Sequence, residues 1–328
     1  MADLQTTYMG IELENPIVVG ASSLSKQIDS IKKIEDAGAG ALVIKSLFEE
    51  QVQLEGYDLE QDLSKYDSQF SEALAMFPKI DHAGAKEHVF WVKKAKESVS
   101  MPLIASLNAQ TEDIWVDYAK QLADTGVDGL ELNFYSLPLD ASLEYGDIEK
   151  KELEIFAKIK AAVGVPIAVK LHPYYTNVLK VAKDFDRLGA NAIVIFNRLF
   201  QPGINIDTQA LRPALMFSNQ RDMNLTLRWT GLLYGRIGSD IIASTGIGSG
   251  RDAVAMLLAG ATAVQVVSVL YQKKHQQIGT MLEEISQWMH DKGYDTINDF
   301  RGSLSKQNVS DPWAYERGQY IKALLGFD

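Results

Sequence analysis

Short, mostly apolar segments recur eight times along this chain, and each is followed by a segment whose apolar residues have helical spacing. Segments of this kind are typical of strands that are buried on both faces of a parallel sheet. They are residues 16–19, 40–44, 102–106, 129–132, 166–169, 192–195, 241–244 and 263–267. The regular repetition predicts a closed (β/α)8 TIM barrel in preference to an open doubly wound sheet.

The rest of the chain can be placed around this barrel. Helices are predicted at residues 26–37, 82–98, 111–124, 148–163, 176–188, 227–237 and 276–292, and another begins near residue 252. A short hairpin over residues 6–13 precedes the first strand and is expected to plug the bottom of the barrel. Residues 47–81, after the second strand, and 199–226, after the sixth, are too long for ordinary loops. Since no linker separates the segments, we expect one domain over residues 1–328.

Composition excludes several classes of function. The chain has 328 residues, a formal net charge of −11, five histidines without metal-ligand spacing and no cysteine. Its pI is near 5.0, which argues against binding to a nucleic-acid backbone. The absence of cysteine removes disulfides, iron–sulfur ligation and cysteine nucleophiles. Neither a signal peptide nor a membrane span is recognisable. We therefore expect a cytoplasmic protein that uses no metal, nucleic acid or membrane.

Residues 240–270 read as strand, glycine turn, helix and strand. Gly246, Gly248 and Gly250 allow a tight turn, and free N–H groups at the start of the helix are expected to bind a phosphate. Ser268, at the end of the following strand, would add a hydroxyl donor. The spacing is not the Gly-x-Gly-x-x-Gly fingerprint, so a dinucleotide site is not predicted. The alternative is a tight turn without a ligand.

Polar side chains stand where the predicted strands end. Because the βα loops of a (β/α)8 barrel open on one face, these side chains are expected to surround one site. They are Ser22, Lys45, Asn108, Asn133, Ser136, Lys170, Asn197, Thr245 and Ser268. Taken singly, each has a structural interpretation, such as an asparagine that caps a turn. Together they indicate a planar, negatively charged ligand rich in hydrogen-bonding groups.

An ordered set of motifs carries a resemblance that spans nearly the whole chain. Asn15-Pro16 precedes a run of small residues, and VIKS, ELNFYS, VKLHP, STGIGSGRDA and AGATAVQVVS follow in that order. In order and approximate spacing, the chain resembles the dihydroorotate dehydrogenase family. The resemblance implies a barrel that binds flavin mononucleotide (FMN) and oxidises dihydroorotate to orotate, or a related dihydropyrimidine, in pyrimidine biosynthesis.

The resemblance also implies which residues contact FMN. They are Gly20, Ala21, Ser22, Lys45, Asn108, Asn133, Lys170, Asn197, Thr245, Gly246 and Ser268. Lys170 would face the flavin ring, where a cation stabilises the anionic reduced form. Thr245, Gly246 and Ser268 would hold the phosphate.

The catalytic and substrate-binding residues follow from the same resemblance. Lys45, Asn133 and Asn197 would contact the substrate, with Lys45 between substrate and flavin. Ser136 matches the family's catalytic base, which is a cysteine or a serine, so Ser136 and Lys45 are the predicted catalytic residues. The family's Asn-x-Ser-(Cys/Ser)-Pro-Asn motif stands here as Asn-Phe-Tyr-Ser-Leu-Pro. This departure leaves open the true substrate and whether Ser136 or Tyr135 is the base.

Two other functions are consistent with these residues. One is a non-redox barrel enzyme for a phosphate-bearing ligand, in which Lys170 forms a Schiff base. The other is a flavin-binding homologue without turnover. Purified protein would be colourless in the first case and yellow in the second. Beyond a small-molecule substrate, the partner that we consider is a second copy of the chain in a homodimer.

Overall fold

The computed structural model describes residues 2–49, 83–136, 138–198, 202–213 and 217–326. A hairpin of β1 (Thr6–Tyr8) and β2 (Ile11–Leu13) precedes a ring of eight parallel strands. The ring contains β3 (Ile17–Val19), β4 (Ala41–Val43), β6 (Leu103–Asn108), β7 (Gly129–Asn133), β8 (Ile167–Leu171), β9 (Ala192–Ile195), β12 (Asp240–Ser244) and β13 (Ala263–Val266). Pairing of β4 with β6 and of β13 with β3 closes the ring. The predicted (β/α)8 barrel is therefore confirmed.

Helices form the outer layer of the barrel. They are α1 (Ile28–Asp36), α2 (Ala83–Lys96), α3 (Glu112–Ala123), α4 (Asp147–Ala162), α5 (Val178–Arg187), α6 (Met223–Leu233), α7 (Gly250–Ala259), α8 (Ser268–Lys273), α9 (Gln277–Lys292) and α10 (Gly318–Leu325). Except for α6, each helix with two predicted boundaries begins and ends within two residues of them. None of the described helices combines the length and apolar character needed to span a membrane.

The prediction of α6 was wrong by four residues at each end. Asn219 starts the helical segment early, because its side chain caps a 3-10 turn over residues 220–222 that leads directly into the helix. The Asp222 carboxylate in return accepts a hydrogen bond from the Asn219 N–H at 2.9 Å. At the other end, Tyr234 leaves the helical conformation with a ψ of 131°. Local capping, which the apolar pattern does not reveal, therefore sets both ends of this helix.

Several elements were not predicted. β5 (Leu47–Phe48) pairs with β6, and β10 (Pro202–Asn205) pairs with β11 (Ala210–Pro213) as an antiparallel hairpin inside the second long segment. This hairpin forms a sheet of its own and has exposed side chains, so no burial pattern marks it in the sequence. The short α8 and the outlying α10 were also missed. Of the first long segment, residues 50–81 lie outside the described residues.

The N-terminal hairpin closes the bottom of the barrel, as predicted. Tyr8 and Met9 are buried against inward-facing side chains such as Val18 and Ile104. A β-carbon at Gly129 would lie 2.7 Å from Met9 Cε, so this strand position leaves space for the plug. The Met9 N–H donates to the Asp240 carboxylate at 2.9 Å, which ties the plug to β12. The interior is thus filled at the end of the barrel where the strands begin.

Aromatic rings hold three helices against the barrel near the ends of β7 and β8. Phe134, just after β7, stacks on Phe185 of α5 with ring centroids 5.6 Å apart. Phe185 meets Phe156 of α4 edge-on at 5.4 Å, and Phe134 meets Trp115 of α3 at 4.9 Å. Such contacts add to the burial of apolar area. They place the buried face of α4 directly behind the loop that follows β7.

Candidate active site

A buried ion pair lies inside the barrel between β7, β8 and β13. Lys170 Nζ is 3.4 Å from Glu131 Oε1 and donates to Gln265 Oε1 at 2.9 Å. Gln265 Nε2 donates to the other oxygen of Glu131. The Glu131 side chain is fully buried and that of Lys170 is 10% exposed. Since an isolated charge is costly to bury, the pair holds Lys170 as an ammonium ion in this position.

The plug reaches the same network from below. Burial, and then the Glu131 carboxylate, raise the pKa of Tyr8 well above its ordinary value, whereas the nearby Gln265 side chain lowers it. The Tyr8 hydroxyl is therefore neutral at physiological pH. Tyr8 and the ion pair form successive layers, with Lys170 on the side of the open mouth.

Three predicted asparagines are joined by hydrogen bonds at the mouth. Asn108 Nδ2 donates to the Asn133 carbonyl at 2.8 Å, and Asn197 Nδ2 donates to Asn133 Oδ1 at 2.9 Å. Asn108 and Asn133 are buried. In the strand register Asn133 stands opposite Lys170. The strand ends thus bring these amides and the ammonium group together, as the pattern of polar strand ends predicted.

A second group of predicted residues lies between β3 and β4. The Lys45 N–H donates to Ser25 Oγ at 2.8 Å, and Ser25 Oγ donates to the Ser22 carbonyl at 2.9 Å. Ser22 Oγ is buried and has no hydrogen-bond partner among the described residues. Burial, and secondarily the Lys45 ammonium group, lower the pKa of His88 to about 4. His88 is therefore neutral, and the charge in this group is that of Lys45.

Three hydroxyl and backbone donors meet where a phosphate was predicted. Thr245 and Gly246 both have positive φ, 83° and 82°, and a left-handed conformation is strained for a β-branched residue. The Gly246 N–H donates to Ser218 Oγ at 3.1 Å, and Ser218 Oγ donates to Ser268 Oγ at 3.0 Å. The Thr245 hydroxyl points elsewhere, to the Phe196 carbonyl at 2.9 Å. Gly246 and Ser268 are thus brought together, whereas the Thr245 side chain is used in holding the turn.

Two of the N–H groups expected to be free near the start of α7 already have partners. The Gly248 N–H donates to the Asp252 carboxylate at 3.0 Å, and the Gly250 N–H donates to the Glu284 carboxylate at 2.5 Å. These two carboxylates already neutralise the positive end of the helix. An anion near this turn would therefore contact Gly246 and the two serines rather than the helix terminus.

Ser136 lies in the loop that follows β7, beside α4. It is half-buried and near the carboxyl group of Glu152, whose pKa a side-chain interaction with Ser136 lowers. The neighbouring Tyr135 is 41% exposed. Both candidate bases therefore lie on this loop, and the packing of α4 brings Ser136 to the carboxyl group of Glu152.

Four residues of the site were missed, namely Glu131, Glu152, Ser218 and Gln265. Glu131 and Gln265 both point into the barrel. Glu131 lies two residues before Asn133, and Gln265 lies within the last predicted strand. The alternation of side chains along a strand therefore identifies both as inward-facing positions. Glu152 precedes Ile155, Phe156 and Ile159 on the buried face of a helix, which is a detectable signal. Ser218 lies in an irregular segment, and nothing in the sequence pattern marks it.

We expect Lys170→Met to lower the free energy of unfolding by about 3–5 kcal/mol, because it leaves the Glu131 carboxylate buried without a cation. Combining Glu131→Gln with Lys170→Met should recover most of the lost free energy of unfolding, because the buried group at position 131 is then neutral. Lys180→Met is the control, because that lysine pairs with Asp184 at the surface, and it should change stability by less than about 1 kcal/mol. Urea titrations measure each variant. Equal losses for the single and double variants would contradict this account.

Comparison with known proteins agrees with this geometry. The sequence profile of the family described as dihydroorotate dehydrogenase matches residues 3–289. The chain is similar to dihydroorotate dehydrogenase B (NAD(+)), catalytic subunit, of Thermoplasma acidophilum, with 27% identity over 308 residues, 92% of this chain and 99% of the relative. It is 26% identical over 317 residues to dihydroorotate dehydrogenase A (fumarate) of Lactobacillus helveticus, with 93% and 99% covered. Because the profile covers most of its length, this chain belongs to the dihydroorotate dehydrogenase family.

Proposed function

We propose that this chain is an FMN-dependent dehydrogenase that oxidises dihydroorotate to orotate, or a related dihydropyrimidine to its unsaturated product. Dihydroorotate dehydrogenases are FMN-dependent oxidoreductases that act on CH–CH groups. The observation that carries the proposal is the Lys170 ammonium, held by Glu131 inside the mouth and opposite Asn133 in the strand register. A fixed cation beside hydrogen-bonding amides suits a planar ring that gains negative charge.

The residues at the mouth fit FMN. The buried hydroxyl of Ser22 lacks a partner among the described residues, so a ligand would satisfy it. At the other end, the Ser218 hydroxyl lies within hydrogen-bonding distance of both the Gly246 N–H and the Ser268 hydroxyl. A β-carbon at Gly246 would lie 2.6 Å from the Asn219 carbonyl oxygen, so the close approach here requires glycine. We assign the phosphate group to these donors.

The other residues that we assign to the cofactor lie at or just after the ends of strands. Bound FMN would supply the two-electron acceptor for the hydrogen removed from the substrate. Lys170 would stabilise negative charge on the ring, and Asn108 and Asn133 would orient it. Gly20 and Ala21 would lie along the flavin, and a β-carbon at Gly20 would meet Val267 Cγ2 at 2.9 Å. Larger side chains are therefore excluded from this part of the wall.

On the substrate side we assign Lys45, Asn133 and Asn197. Lys45 brings a positive charge that suits a carboxylate-bearing ring. The Asn197 side chain donates a hydrogen bond to the Asn133 side chain. The other donors and acceptors of these two amides would therefore face the substrate together.

Ser136 is the group that we assign as base, and Tyr135 is the alternative on the same loop. A serine hydroxyl is a weak base, so it must pass its own proton to an acceptor as it takes one from the substrate carbon. Ser136 lies beside such an acceptor, Glu152, whereas Tyr135 is partly exposed. This difference favours Ser136.

The Schiff-base alternative is disfavoured. A nucleophilic lysine must lose its charge before it attacks a carbonyl group. Glu131 and Gln265 both accept hydrogen bonds from Lys170 and so stabilise its charged form. The same contacts suit a permanent cation beside an electron-accepting ring.

We propose further that residues 1–328 form one domain and that the chain associates as a homodimer. Exposed apolar side chains support association, among them Ile206, Leu211 and Leu325, which are 81%, 79% and 70% exposed. Light scattering after gel filtration is expected to give twice the chain mass. A monomer at micromolar concentration would rule out a stable homodimer.

The purified protein is expected to be yellow and to release FMN rather than flavin adenine dinucleotide, because the mouth offers one phosphate site. Mass spectrometry identifies the released molecule. Dihydroorotate added without oxygen should then bleach the flavin absorbance. A colourless protein that takes up no FMN would refute flavin binding. A yellow protein that dihydroorotate does not bleach would instead indicate another substrate or a homologue without turnover.

Ser136→Ala should slow flavin reduction by roughly 10²-fold or more, the usual contribution of a positioned acid–base group, without changing the affinity for FMN. Tyr135→Phe is the matched variant and should have little effect. Stopped-flow absorbance with dihydroorotate measures both rates. If Tyr135→Phe is the slow variant, the phenol is the base. If neither is slow, the base does not lie on this loop.

A further inference from the structure

A buried carboxyl group lies behind the loop that carries Ser136. Glu152 belongs to α4 and is 2% exposed. Its Oε2 accepts a hydrogen bond from the Tyr175 hydroxyl at 2.7 Å. Its Oε1 is buried and accepts no hydrogen bond of normal geometry from the residues that the structure describes. The Ser136 hydroxyl is close enough to interact with this carboxyl group. A buried acceptor with one oxygen unused is uncommon and points to a functional role.

The two rings beside Glu152, those of Tyr175 and His172, are stacked and uncharged. The ring of Tyr175 stacks on that of His172 with centroids 3.9 Å apart and an interplanar angle of 14°. His172 Nδ1 accepts from the Tyr174 N–H at 3.1 Å, so the neutral ring carries its hydrogen on Nε2. Burial lowers the pKa of His172 to about 4. No imidazolium is therefore available to keep Glu152 ionised.

Glu152 is poised to change protonation near neutral pH. Burial, with a smaller contribution from the Glu149 carboxylate on the same helix, raises its pKa to about 7 against the lowering effects of Tyr175 and Ser136. The raised pKa means that the group is ionised above pH 7 and protonated below it. Accepting a proton also removes a charge from a buried site, which favours the transfer.

Two ion pairs involve the helices packed around α4. Glu112 of α3 pairs with Lys158 of α4, and Lys180 of α5 pairs with Asp184 one turn later. The lysines of both pairs are more than half exposed. Their charges are screened by water and affect the buried carboxyl group weakly.

We propose that Glu152 accepts the proton that Ser136 releases when Ser136 deprotonates the substrate, with Tyr175 orienting the carboxylate. This inference rests on the proposed dehydrogenase function. The substrate C–H bond breaks as its proton joins Ser136 Oγ, and the original Ser136 proton joins Glu152 Oε1. The electron pair of that C–H bond becomes the new carbon–carbon double bond, while the neighbouring carbon loses hydride to the cofactor. Glu152 acts through Ser136 and is a positioning residue.

The pH dependence of flavin reduction tests the proposal in the FMN-loaded enzyme. With dihydroorotate under anaerobic conditions, the wild-type rate should rise with pH and level off above about 7, because only ionised Glu152 accepts a proton. Glu152→Gln is nearly isosteric and should abolish this rise and lower the plateau by roughly 10²-fold. Glu154→Gln, on the exposed side of the same helix, is the control and should leave the profile unchanged.

Tyr175→Phe separates proton acceptance from a purely structural role. The Tyr175 hydroxyl stabilises the carboxylate and lowers the pKa of Glu152. Its removal should therefore shift the rise in rate to higher pH while leaving the plateau close to that of the wild type. A lower plateau with an unshifted midpoint would show that the two residues only support the loop, and would overturn the proposal.

Infrared spectroscopy of the FMN-loaded enzyme without substrate gives a readout independent of activity. The band of a protonated carboxyl group should disappear as the pH rises through about 7, be absent in Glu152→Gln and persist in Glu154→Gln. If this band titrates but Glu152→Gln retains the wild-type rate profile, the inference fails and the dehydrogenase function stands. If dihydroorotate bleaches no wild-type flavin at any pH, the proposed function fails, and this inference fails with it.

Discussion

The inner layer of the barrel depends on the ion pair between Lys170 and Glu131. A lysine inside a ring of apolar strands is tolerated only with a partner, and the partner must come from a neighbouring strand. β7 supplies Glu131, and Gln265 completes the network from β13, which is separated from β8 by two strands of the ring. Two opposite parts of the wall are thereby joined, and the ammonium group is fixed at the height where the mouth begins.

The two ends of the barrel have different roles because only one of them is filled. Tyr8 and Met9 fill the bottom of the barrel. The polar side chains that follow the strands lie at the other end. There Asn108 donates to the backbone carbonyl of Asn133, and Asn197 donates to the Asn133 side chain. The Ser218 hydroxyl accepts from the Gly246 N–H and donates to Ser268. Carboxylates accept hydrogen bonds from the N–H groups of Gly248 and Gly250. Hydroxyl and backbone donors at the turn therefore replace the helix terminus as the site suited to a phosphate group.

In the proposed mechanism, the residues that transfer the proton and the lysine that stabilises the reduced flavin lie in different parts of the barrel. Lys170 belongs to the interior, whereas Ser136 faces α4 and the buried pair of Glu152 and Tyr175. The aromatic contacts of Phe134, Phe156 and Phe185 hold that helix against the loop. Burying a carboxylate there costs free energy of folding, because a tyrosine is its only hydrogen-bond donor of normal geometry in the described part of the chain. A catalytic role explains why the group is kept.

The sequence by itself determined the eight strands, most helices, the plug and the ring of polar strand ends, because apolar periodicity and the position of each strand end are local properties. It also marked Lys170 and the three asparagines. Only the tertiary structure decided their partners. Glu131 and Gln265 meet Lys170 because the ring closes, Ser218 reaches Gly246 through an irregular segment, and Glu152 meets Ser136 because α4 packs behind β7. Hydrogen bonds between residues distant in sequence depend on closure and helix packing, which no local pattern encodes.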